Sequence, residues 1–323
     1  MTKPKVFVTL NIFQEALDKI AEATEMEVWP DELPPSYEAL LERSRDAEGL
    51  LTMLHDRIDA NLMEKSPNLK VISNYAVGYD NIDIPEATKR GIYIGHTPGV
   101  LTETTADFLW AIMMAAARRV VKADNYTREG KWKSWGPMVL LGQDLHHATI
   151  GIIGLGRIGT EMAKRARGFD MNVLYYSRTR KSPEEEERLG LEYVDKMSEL
   201  LARSDYISLH VPLTEETRQL IGAREFSMMK PTAVFVNGSR GAVVDQRALY
   251  EALKNGTICS AAIDVTEVEP IPLDDPLLTL DNLVIAPHIG SASFPTRSTM
   301  AIMAADNLLA GLRGEVPPHC VNH

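Results

Sequence analysis

Cysteine is scarce in this chain of 323 residues, which contains only Cys259 and Cys320. Neither lies in a Cys-x-x-Cys or Cys/His pattern, so the sequence shows no spacing typical of a metal site. A chain with so few cysteines is also more typical of a reducing compartment than of the secreted, disulfide-rich class. We therefore expect no bound metal and a cytoplasmic location.

An excess of positive charge and a long apolar run are both missing. Lys and Arg number 34 against 45 Asp and Glu, and the net charge of −11 argues against nucleic-acid binding and against an anionic membrane surface. The apolar stretch at 108–117 is too short to span a membrane. The start, MTKPKVFVTLN, has no cleavage-site pattern, so we expect no signal peptide. The 45% apolar content is that of a globular protein, and the length predicts two domains.

Short apolar runs alternate with helix-like segments over residues 5–96. The strand-like runs are KVFVTL, MEVW, GLLTM, LKVISNY and IYIGH. The helix-like segments between them are QEALDKIAEA, SYEALLERS and IPEATKRG. This alternation predicts an α/β unit with a parallel sheet and helices on both faces.

A second alternating region begins at Thr149. It follows one long helix, predicted over about residues 102–130, and a loop rich in tryptophan and glycine. Its strand candidates are TIGIIG, NVLYY, YISLHV, AVFVN, SAAIDV and LVIAPH. The run EEEE at 184–187 is interpreted as a solvated helix face, and TRSTMAIMAADNLLAGLRG predicts a final helix. The second region is therefore also predicted to be a doubly wound α/β unit.

A glycine-rich turn lies at the start of this second region. GIIGLGRIG contains Gly154-x-Gly156-x-x-Gly159 between a strand-like and a helix-like run, the context that supports dinucleotide binding. Gly154 permits a tight turn, Gly156 lets the backbone approach a pyrophosphate, and Gly159 lets the helix pack on the strand. The helix N-terminus then offers N–H groups to the phosphates. The turn also includes Leu155, Arg157 and Ile158. The alternative is a strand–turn–helix that merely requires glycines.

An acidic residue is missing where such folds hold the ribose 2′-hydroxyl of NAD, about 20 residues after the turn. The strand-like NVLYY is followed instead by Ser177, Arg178 and Thr179. An arginine here can hold the 2′-phosphate of NADP through charge-assisted hydrogen bonds, and the two hydroxyl groups can add donors. We predict a preference for NADP(H) with NAD(H) still usable. The alternative is a basic surface loop without a binding role.

Polar residues follow three strand candidates of this region. Arg240 follows AVFVN, Glu269 follows SAAIDV, and His288 follows LVIAPH. Because parallel strands end at one sheet edge, we expect these side chains to converge. Arginine can hold a carboxylate and polarise a ketone oxygen, histidine can protonate that oxygen, and a neighbouring glutamate favours the imidazolium. Taken singly, each has an ordinary structural alternative: a turn cap, a surface residue or a satisfied core histidine.

At these residues the chain resembles the D-isomer-specific 2-hydroxyacid dehydrogenase family. The resemblance rests on GIIGLGRIG, FVNGSRGAVVD, AAIDVTEVEP and APHIGSAS in this order, and it covers essentially the full length. It implies Arg240, Glu269 and His288 as the catalytic residues. It also implies a flavodoxin-like substrate domain formed by residues 1–97 and 290–323. A Rossmann dinucleotide domain would be inserted between them at 98–289.

The resemblance implies further site residues. Additional cofactor contacts would come from Thr105, Val211, Pro212, Thr217, Asn237, Ser239 and Asp264. Val77 and Gly78 would bind the substrate carboxylate through their N–H groups, and Leu54 and His55 would form another part of the substrate wall. Trp135 would reach the partner's active site in a homodimer whose arm is the helix and loop at 102–145. The alternative is that this tryptophan only packs its own loop.

Within the family the chain is most similar to glyoxylate/hydroxypyruvate reductases, on the segments KWKSWGPMVLLG and SRTRK. The expected reaction is reduction of a small 2-oxo acid to its 2-hydroxy acid. Two alternatives stay open. One is another D-2-hydroxyacid dehydrogenase, acting on lactate, phosphoglycerate or a branched 2-oxo acid. The other is a non-enzymatic, NAD(H)-sensing corepressor with the same fold. We expect the enzyme rather than the sensor, because the sequence shows no disordered extension. The lack of an extra C-terminal domain argues against the longer phosphoglycerate dehydrogenases and leaves short ones open.

Overall fold

The computed structural model describes residues 2–323, which form two compact units. The split unit contains the residues up to Leu101 together with Ala292–His323, and the inserted unit is Thr102–Ser291. The boundaries expected from the sequence are 97/98 and 289/290. Each unit is built on a wholly parallel sheet, which confirms the predicted α/β class with a Rossmann-type domain.

The split unit alternates strands and helices along its first part. Its elements are β1 (Lys5–Val8), α1 (Gln14–Ala23), β2 (Glu25–Val28), α2 (Tyr37–Ser44), β3 (Gly49–Thr52), α3 (Ala60–Lys65), β4 (Val71–Asn74), α4 (Ile84–Lys89) and β5 (Tyr93–Gly95). The strand order β2-β1-β3-β4-β5 is the flavodoxin-like one. All five predicted strands are present. The sequence analysis missed α3, although Asp59 caps this helix by accepting from the N–H of Leu62.

The inserted unit contains seven parallel strands. Its elements are α5 (Thr102–Ala117), α6 (Val120–Arg128), β6 (Thr149–Ile153), α7 (Arg157–Ala166), β7 (Asn172–Tyr176), α8 (Pro183–Leu189), β8 (Leu191–Tyr193), α9 (Met197–Arg203), β9 (Tyr206–Leu209), α10 (Ala223–Met228), β10 (Val234–Asn237), α11 (Gln246–Lys254), β11 (Ser260–Ile263) and β12 (Leu283–Ile285). The order β12-β11-β10-β9-β6-β7-β8 extends the doubly wound dinucleotide-binding arrangement by one strand. The three-residue edge strand β8 is the one strand that the sequence analysis missed.

The prediction of a single long helix over residues 102–130 is wrong, because the chain forms two helices, α5 and α6, with a break between them. Arg119 has a left-handed backbone with φ 54, which a continuous α-helix cannot contain. The carbonyl of Ala117 accepts from the N–H of Gln143, 2.9 Å away. A Cβ on Gly142 would lie 2.4 Å from the same carbonyl oxygen, so only glycine permits this approach. The loop that contains Gly142 and Gln143 therefore supplies the hydrogen-bond donor for the last carbonyl of α5.

The last helix, α12 (Phe294–Leu312), belongs to the split unit and packs on β3, β4, β5 and α1. Its contact with the sheet is close, since a Cβ on Gly311 would lie 2.5 Å from the side chain of Val71. The strands β3 and β4 are buried along their whole length beneath it. This packing fixes the strand ends from which two polar loops of the split unit begin.

Candidate active site

The glycine turn after β6 has the conformation that a dinucleotide requires. Gly154 has φ +92, and a Cβ there would lie 2.7 Å from the carbonyl oxygen of His210. A Cβ on Gly159 would lie 2.3 Å from the carbonyl oxygen of Gly154. At Gly156, in contrast, a Cβ would meet no atom within 4 Å. Gly154 and Gly159 are therefore required by close contacts within the protein, whereas Gly156 leaves open space in front of the backbone.

The residues around this turn fit a nicotinamide dinucleotide. The helix α7 begins at Arg157 without a side-chain cap, so its first N–H groups point toward the open space. An open pocket in front of it includes Leu155, Gly156 and Arg157 in its lining. Thr105 has a buried hydroxyl oxygen without a hydrogen-bond partner within residues 2–323. Free backbone donors and an unpaired hydroxyl are what a pyrophosphate and its adjoining groups would satisfy.

The two arginines of the basic loop after β7, Arg178 and Arg180, differ in their surroundings. Arg180 forms two hydrogen bonds of 2.8 Å with the carboxylate of Glu186, and its guanidinium lies 5.1 Å from the ring centre of Tyr193. Tyr175 also donates to Glu186, at 2.5 Å. The donors from Arg180 and Tyr175 lower the pKa of Glu186 to about 2. Arg178 takes no part in this cluster and is exposed.

The cluster corrects the interpretation of residues 184–187 as a solvated face. Glu186 is only 9% exposed, because its carboxylate is turned inward to Arg180 and Tyr175. The hydroxyl of Tyr175 in turn accepts from the N–H of Lys181, 2.9 Å away. These bonds fix the end of the loop. Ser177, Arg178 and Thr179 lie at its beginning, directly after β7, and are half-buried or exposed.

The remaining cofactor candidates are partly occupied by local hydrogen bonds. The hydroxyl of Thr217 donates to the carbonyl of Pro212, 2.6 Å away, next to Val211. At the end of β10, the side-chain oxygen of Asn237 accepts from the N–H and hydroxyl of Ser239. The side-chain amide of Asn237 donates to the carbonyl of Arg240 at 3.0 Å. Asn237 and Ser239 therefore shape the loop that carries this arginine.

Three candidates for the chemistry follow three neighbouring strands. Arg240 follows β10, Glu269 follows β11, and His288 follows β12, in a sheet where β11 pairs with both other strands. Nδ1 of His288 lies 2.7 Å from Oε2 of Glu269, and the other carboxylate oxygen accepts from the N–H of Thr266 at 3.1 Å. The pair is thus anchored to the backbone through Glu269. The backbone of His288 is left-handed, with φ 56, an uncommon conformation for a residue with a side chain.

Gly241 allows the arginine loop to reach the glutamate loop. A Cβ on Gly241 would lie 1.9 Å from the carbonyl oxygen of Thr266, so this backbone approach requires glycine. Arg240 itself donates to the carbonyl of Ser239 at 2.9 Å. The sequence analysis missed Gly241, although it stands inside the quoted motif FVNGSRGAVVD.

Asp264 holds the backbone just after the histidine. Its two carboxylate oxygens accept from the N–H of Ile289 at 2.8 Å and the N–H of Gly290 at 2.7 Å, while its carbonyl accepts from the N–H of His288. Burial raises the pKa of Asp264, and the two backbone donors act against that rise. The carboxylate is therefore committed to fixing the turn that carries His288.

The substrate-wall candidates of the split unit lie in two loops. Leu54 is 36% exposed and His55 follows it, with Nε2 3.5 Å from the carboxylate of Asp56. Val77 and Gly78 lie after β4 and are half-buried. Trp135 belongs to the inserted unit and is 82% exposed.

Several residues around these candidates were missed by the sequence analysis. Asn74 and Asn81 bracket the loop that contains Val77 and Gly78, and Asp56 lies beside His55. Asn74 could have been found by the same signal as Arg240, because it is a polar residue at the end of a buried strand. No comparable signal marks Asn81 or Asp56.

Among residues 2–323, no three His, Cys, Asp or Glu side chains are grouped so that they could hold a metal ion. In the same part of the chain, no helix combines the length and apolar character needed to cross a membrane.

Comparisons with known proteins point to one family. Residues 110–290 match the family described as D-isomer specific 2-hydroxyacid dehydrogenase, NAD binding domain. A glyoxylate reductase of Korarchaeum cryptofilum is 57% identical over 99% of this chain and 96% of its own. A solved protein of Thermus thermophilus is 46% identical with a TM-score of 0.92, covering 98% of this chain and 99% of its own. An NADPH-dependent glyoxylate/hydroxypyruvate reductase of Sinorhizobium meliloti is 31% identical with a TM-score of 0.86, covering 99% and 98% of the two chains.

Proposed function

Because the chain belongs to the D-isomer-specific 2-hydroxyacid dehydrogenase family, we propose that it reduces glyoxylate and hydroxypyruvate to glycolate and D-glycerate. The observation that carries the proposal is the 2.7 Å contact between His288 Nδ1 and Glu269 Oε2, at the end of neighbouring parallel strands. Two relatives support the choice of substrates, since their names specify glyoxylate and, in one case, hydroxypyruvate.

His288 is the proposed proton donor. Reduction of a 2-oxo acid adds a hydride to C2 and a proton to the ketone oxygen, which yields the 2-hydroxy acid. Glu269 accepts a hydrogen bond from Nδ1, so Nε2 is the nitrogen left to protonate the ketone oxygen. The carboxylate fixes the ring through Nδ1, and the N–H of Thr266 fixes the carboxylate.

Arg240 is the proposed electrophilic partner of the substrate. A guanidinium can bind a carboxylate and polarise the adjacent ketone oxygen, which stabilises negative charge as it develops there. Asn237 supports this role because its amide holds the carbonyl of Arg240 and its oxygen holds Ser239. In the split unit, we assign the N–H groups of Val77 and Gly78 to the substrate carboxylate, with Leu54 and His55 as further substrate-wall residues.

A reduced nicotinamide dinucleotide would supply the hydride when bound. The residues assigned to it are Thr105, Gly154, Leu155, Gly156, Arg157, Ile158, Gly159, Val211, Pro212, Thr217, Asn237, Ser239 and Asp264. Gly156 and the first turn of α7 would receive the pyrophosphate, because space is open there and backbone N–H groups are uncapped.

We propose that NADPH is preferred and NADH is tolerated. Ser177, Arg178 and Thr179 replace the acidic residue that would hold the ribose of NAD. Arg178 is exposed, whereas Arg180 is engaged by Glu186, so Arg178 is the arginine that can bind the 2′-phosphate. The Sinorhizobium meliloti relative, described as NADPH-dependent, supports this preference.

We also propose a homodimer formed through the arm at 102–145. Within this arm, Trp132 is 64%, Trp135 82% and Met138 77% exposed, so large apolar side chains face outward together. Exposed apolar patches of this kind mark interaction surfaces. A second copy of the chain would cover them, and Trp135 would then reach the active site of the partner.

Initial-rate absorbance measurements with glyoxylate and hydroxypyruvate, each with NADPH and NADH, test the proposed reaction. Rapid NADPH oxidation with either acid, and slower NADH oxidation, is the expected result. Activity with bulkier 2-oxo acids alone would assign the chain to another D-2-hydroxyacid dehydrogenase. A cofactor-bound protein without turnover on any 2-oxo acid would overturn the enzymatic proposal and favour the sensor.

A further inference from the structure

A buried amide lies at the base of the loop that contains Val77 and Gly78. Asn74, the last residue of β4, has no exposed surface. Its side-chain oxygen accepts from the hydroxyl of Thr52 at 3.0 Å. Its side-chain nitrogen donates to the carbonyl of Gly78 at 2.9 Å and to the side-chain oxygen of Asn81 at 3.2 Å. One side chain thus joins the ends of β3 and β4 to the far side of the loop.

Asn81 continues the connection to the loop after β3. Its side-chain nitrogen donates to the carbonyl of Met53 at 3.1 Å and to the carbonyl of Asp56 at 2.9 Å. The carboxylate of Asp56 accepts from the N–H of Met53 at 2.7 Å and from the hydroxyl of Thr9 at 2.5 Å. The loop that carries Leu54 and His55 is therefore tied to the loop that carries Val77 and Gly78.

The backbone of the second loop is engaged on one side only. The carbonyl of Ala76 accepts from the N–H of Thr97 at 2.8 Å, the carbonyl of Val77 lies 2.9 Å from Nδ1 of His96, and the carbonyl of Gly78 accepts from Asn74. Within residues 2–323, the N–H groups of Val77 and Gly78 donate to no protein acceptor. Three carbonyl groups of this loop are therefore hydrogen-bonded within the protein, whereas the N–H groups of Val77 and Gly78 remain available to a ligand.

We propose that Asn74 and Asn81 are positioning residues that hold the N–H groups of Val77 and Gly78 in place for the substrate carboxylate. The inference rests on the proposed function, which assigns those two donors to the substrate. Fixing the carbonyl of a peptide fixes the N–H on the following residue, so the held carbonyls of Ala76 and Val77 orient the two donors. The bond from Asn74 to the carbonyl of Gly78 fixes the next peptide plane and so anchors the donor pair from its other end. A donor pair that is rigid before binding costs less conformational entropy when the carboxylate arrives.

The same network couples the two substrate loops. Asn81 bridges the loops through carbonyls of the first and an amide contact with Asn74 in the second. Removal of the Asn74 amide leaves the carbonyl of Gly78 without its donor, and removal of the Asn81 amide does the same to the carbonyl of Asp56. The two loops would then no longer be held together by these side chains. The expected consequence is weaker binding of every ligand that has the carboxylate, with the proton donor and cofactor site unchanged.

The test compares Asn81→Ala and Asn74→Ala with the parent enzyme, using NADPH with glyoxylate. We expect KM to rise about tenfold in each variant with a much smaller change in kcat, a loss typical of one or two hydrogen bonds. The inhibition constant of oxamate, a substrate mimic that is not reduced, should rise by the same factor. NADPH affinity, measured by fluorescence titration, should stay within about twofold.

Ser73→Ala is the matched control. Ser73 is the fully buried neighbour of Asn74 on β4, and its hydroxyl donates to the carbonyl of Ala304 in α12, away from both loops. It removes one buried hydrogen bond from the same strand and should leave KM and oxamate inhibition unchanged. Because Asn74 and Asn81 contact each other, the double variant should lose less affinity than the product of the single losses.

The outcomes separate this inference from the proposed function. A parent enzyme inactive on all 2-oxo acids would sink the proposed function before any variant is measured. An active parent whose asparagine variants change KM and oxamate inhibition no more than Ser73→Ala would overturn the positioning role alone. A fall in kcat without a change in KM would also overturn it. Should Asn74→Ala fail to fold, the half-buried Asn81→Ala still decides the question.

Discussion

The two units of this chain shape their ligand-facing loops by opposite means. In the inserted unit, the turn after β6 owes its form to missing side chains, since a Cβ on Gly154 or Gly159 would lie within 2.7 Å or 2.3 Å of a carbonyl oxygen. In the split unit, the loop after β4 owes its form to added side chains, because Asn74 and Asn81 hold its backbone through amide hydrogen bonds. Both loops leave backbone N–H groups available to an anion.

The difference follows from what each loop would bind. A pyrophosphate is bulky and must approach the backbone itself, so side chains near it have to be removed. A carboxylate is small and can be held by two N–H donors, so polar side chains such as Asn74 can hold the loop around it through hydrogen bonds to its carbonyl groups. Adding side-chain atoms should therefore disturb the turn after β6, and deleting polar side-chain groups should disturb the loop after β4.

The largest effect is expected from His288→Gln, which removes the proposed proton donor from the inserted unit without altering either loop. Loss of a general acid should lower kcat by about 10²–10⁴-fold. Glutamine can still accept or donate one hydrogen bond toward Glu269, so the strand end should persist. Steady-state rates with glyoxylate and NADPH measure the loss. A parallel fall in NADPH affinity would show that the residue serves the fold rather than the chemistry.

Two glycine variants break the inserted unit's loop in different ways. Gly156→Ala should preserve stability, since the new Cβ meets no protein atom within 4 Å, but should weaken both cofactors by about tenfold or more by filling the phosphate space. Gly159→Ala should instead destabilise the unit by roughly 1–3 kcal/mol, because its Cβ would overlap the carbonyl of Gly154. Cofactor titration and denaturant unfolding distinguish the two. Equal cofactor affinity in Gly156→Ala and the parent would argue against the assigned phosphate position.

The same contrast explains what the sequence could predict. The three glycines stand at a fixed spacing between a strand and a helix, so their roles can be assigned from the pattern. Arg240 and His288 follow the ends of strands that the alternation predicts. Asn74 stands at a strand end as Arg240 follows one, but no spacing marks its bond to the carbonyl of Gly78. Asn81 bonds to the carbonyls of Met53 and Asp56, which only the folded chain brings near. The break at Arg119 and the burial of Glu186 were missed for the same reason: each depends on tertiary partners.

The two arginines after β7 sharpen the comparison within the inserted unit. Arg178→Met should raise KM for NADPH by about tenfold or more and leave KM for NADH nearly unchanged, since only NADPH carries the 2′-phosphate. Arg180→Met removes the partner of Glu186 and should affect both cofactors to a similar, smaller extent. The ratio of the two KM values is the measurement. An equal loss of preference in both variants would mean that Arg180 also contacts the phosphate.

The smallest effect concerns acid sensitivity, in which the two units should again differ. Burial lowers the pKa of His210, in the inserted unit, to about 4, whereas burial raises the pKa of Asp56, in the split unit, despite donors from Met53 and Thr9. A histidine with a lowered folded-state pKa gives stability above its unfolded pKa of about 6.5, and this is lost as pH falls toward 4. A carboxyl with a raised pKa does the reverse, costing stability as pH rises past about 4.

The histidine contribution can be isolated with His210→Gln, because a glutamine can still reach the hydroxyl of Ser208, which lies 2.7 Å from Nε2 of the ring. Between pH 7 and pH 5.5 the parent should lose about 1 kcal/mol of unfolding free energy that the variant does not lose. Guanidinium unfolding at the two pH values gives both differences. Identical losses in the two proteins would assign the acid sensitivity to other groups, and a larger loss in the variant would reverse the sign argued for His210. The expected result would identify His210 as a source of acid sensitivity in the inserted unit, whereas the raised pKa of Asp56 in the split unit acts in the opposite direction.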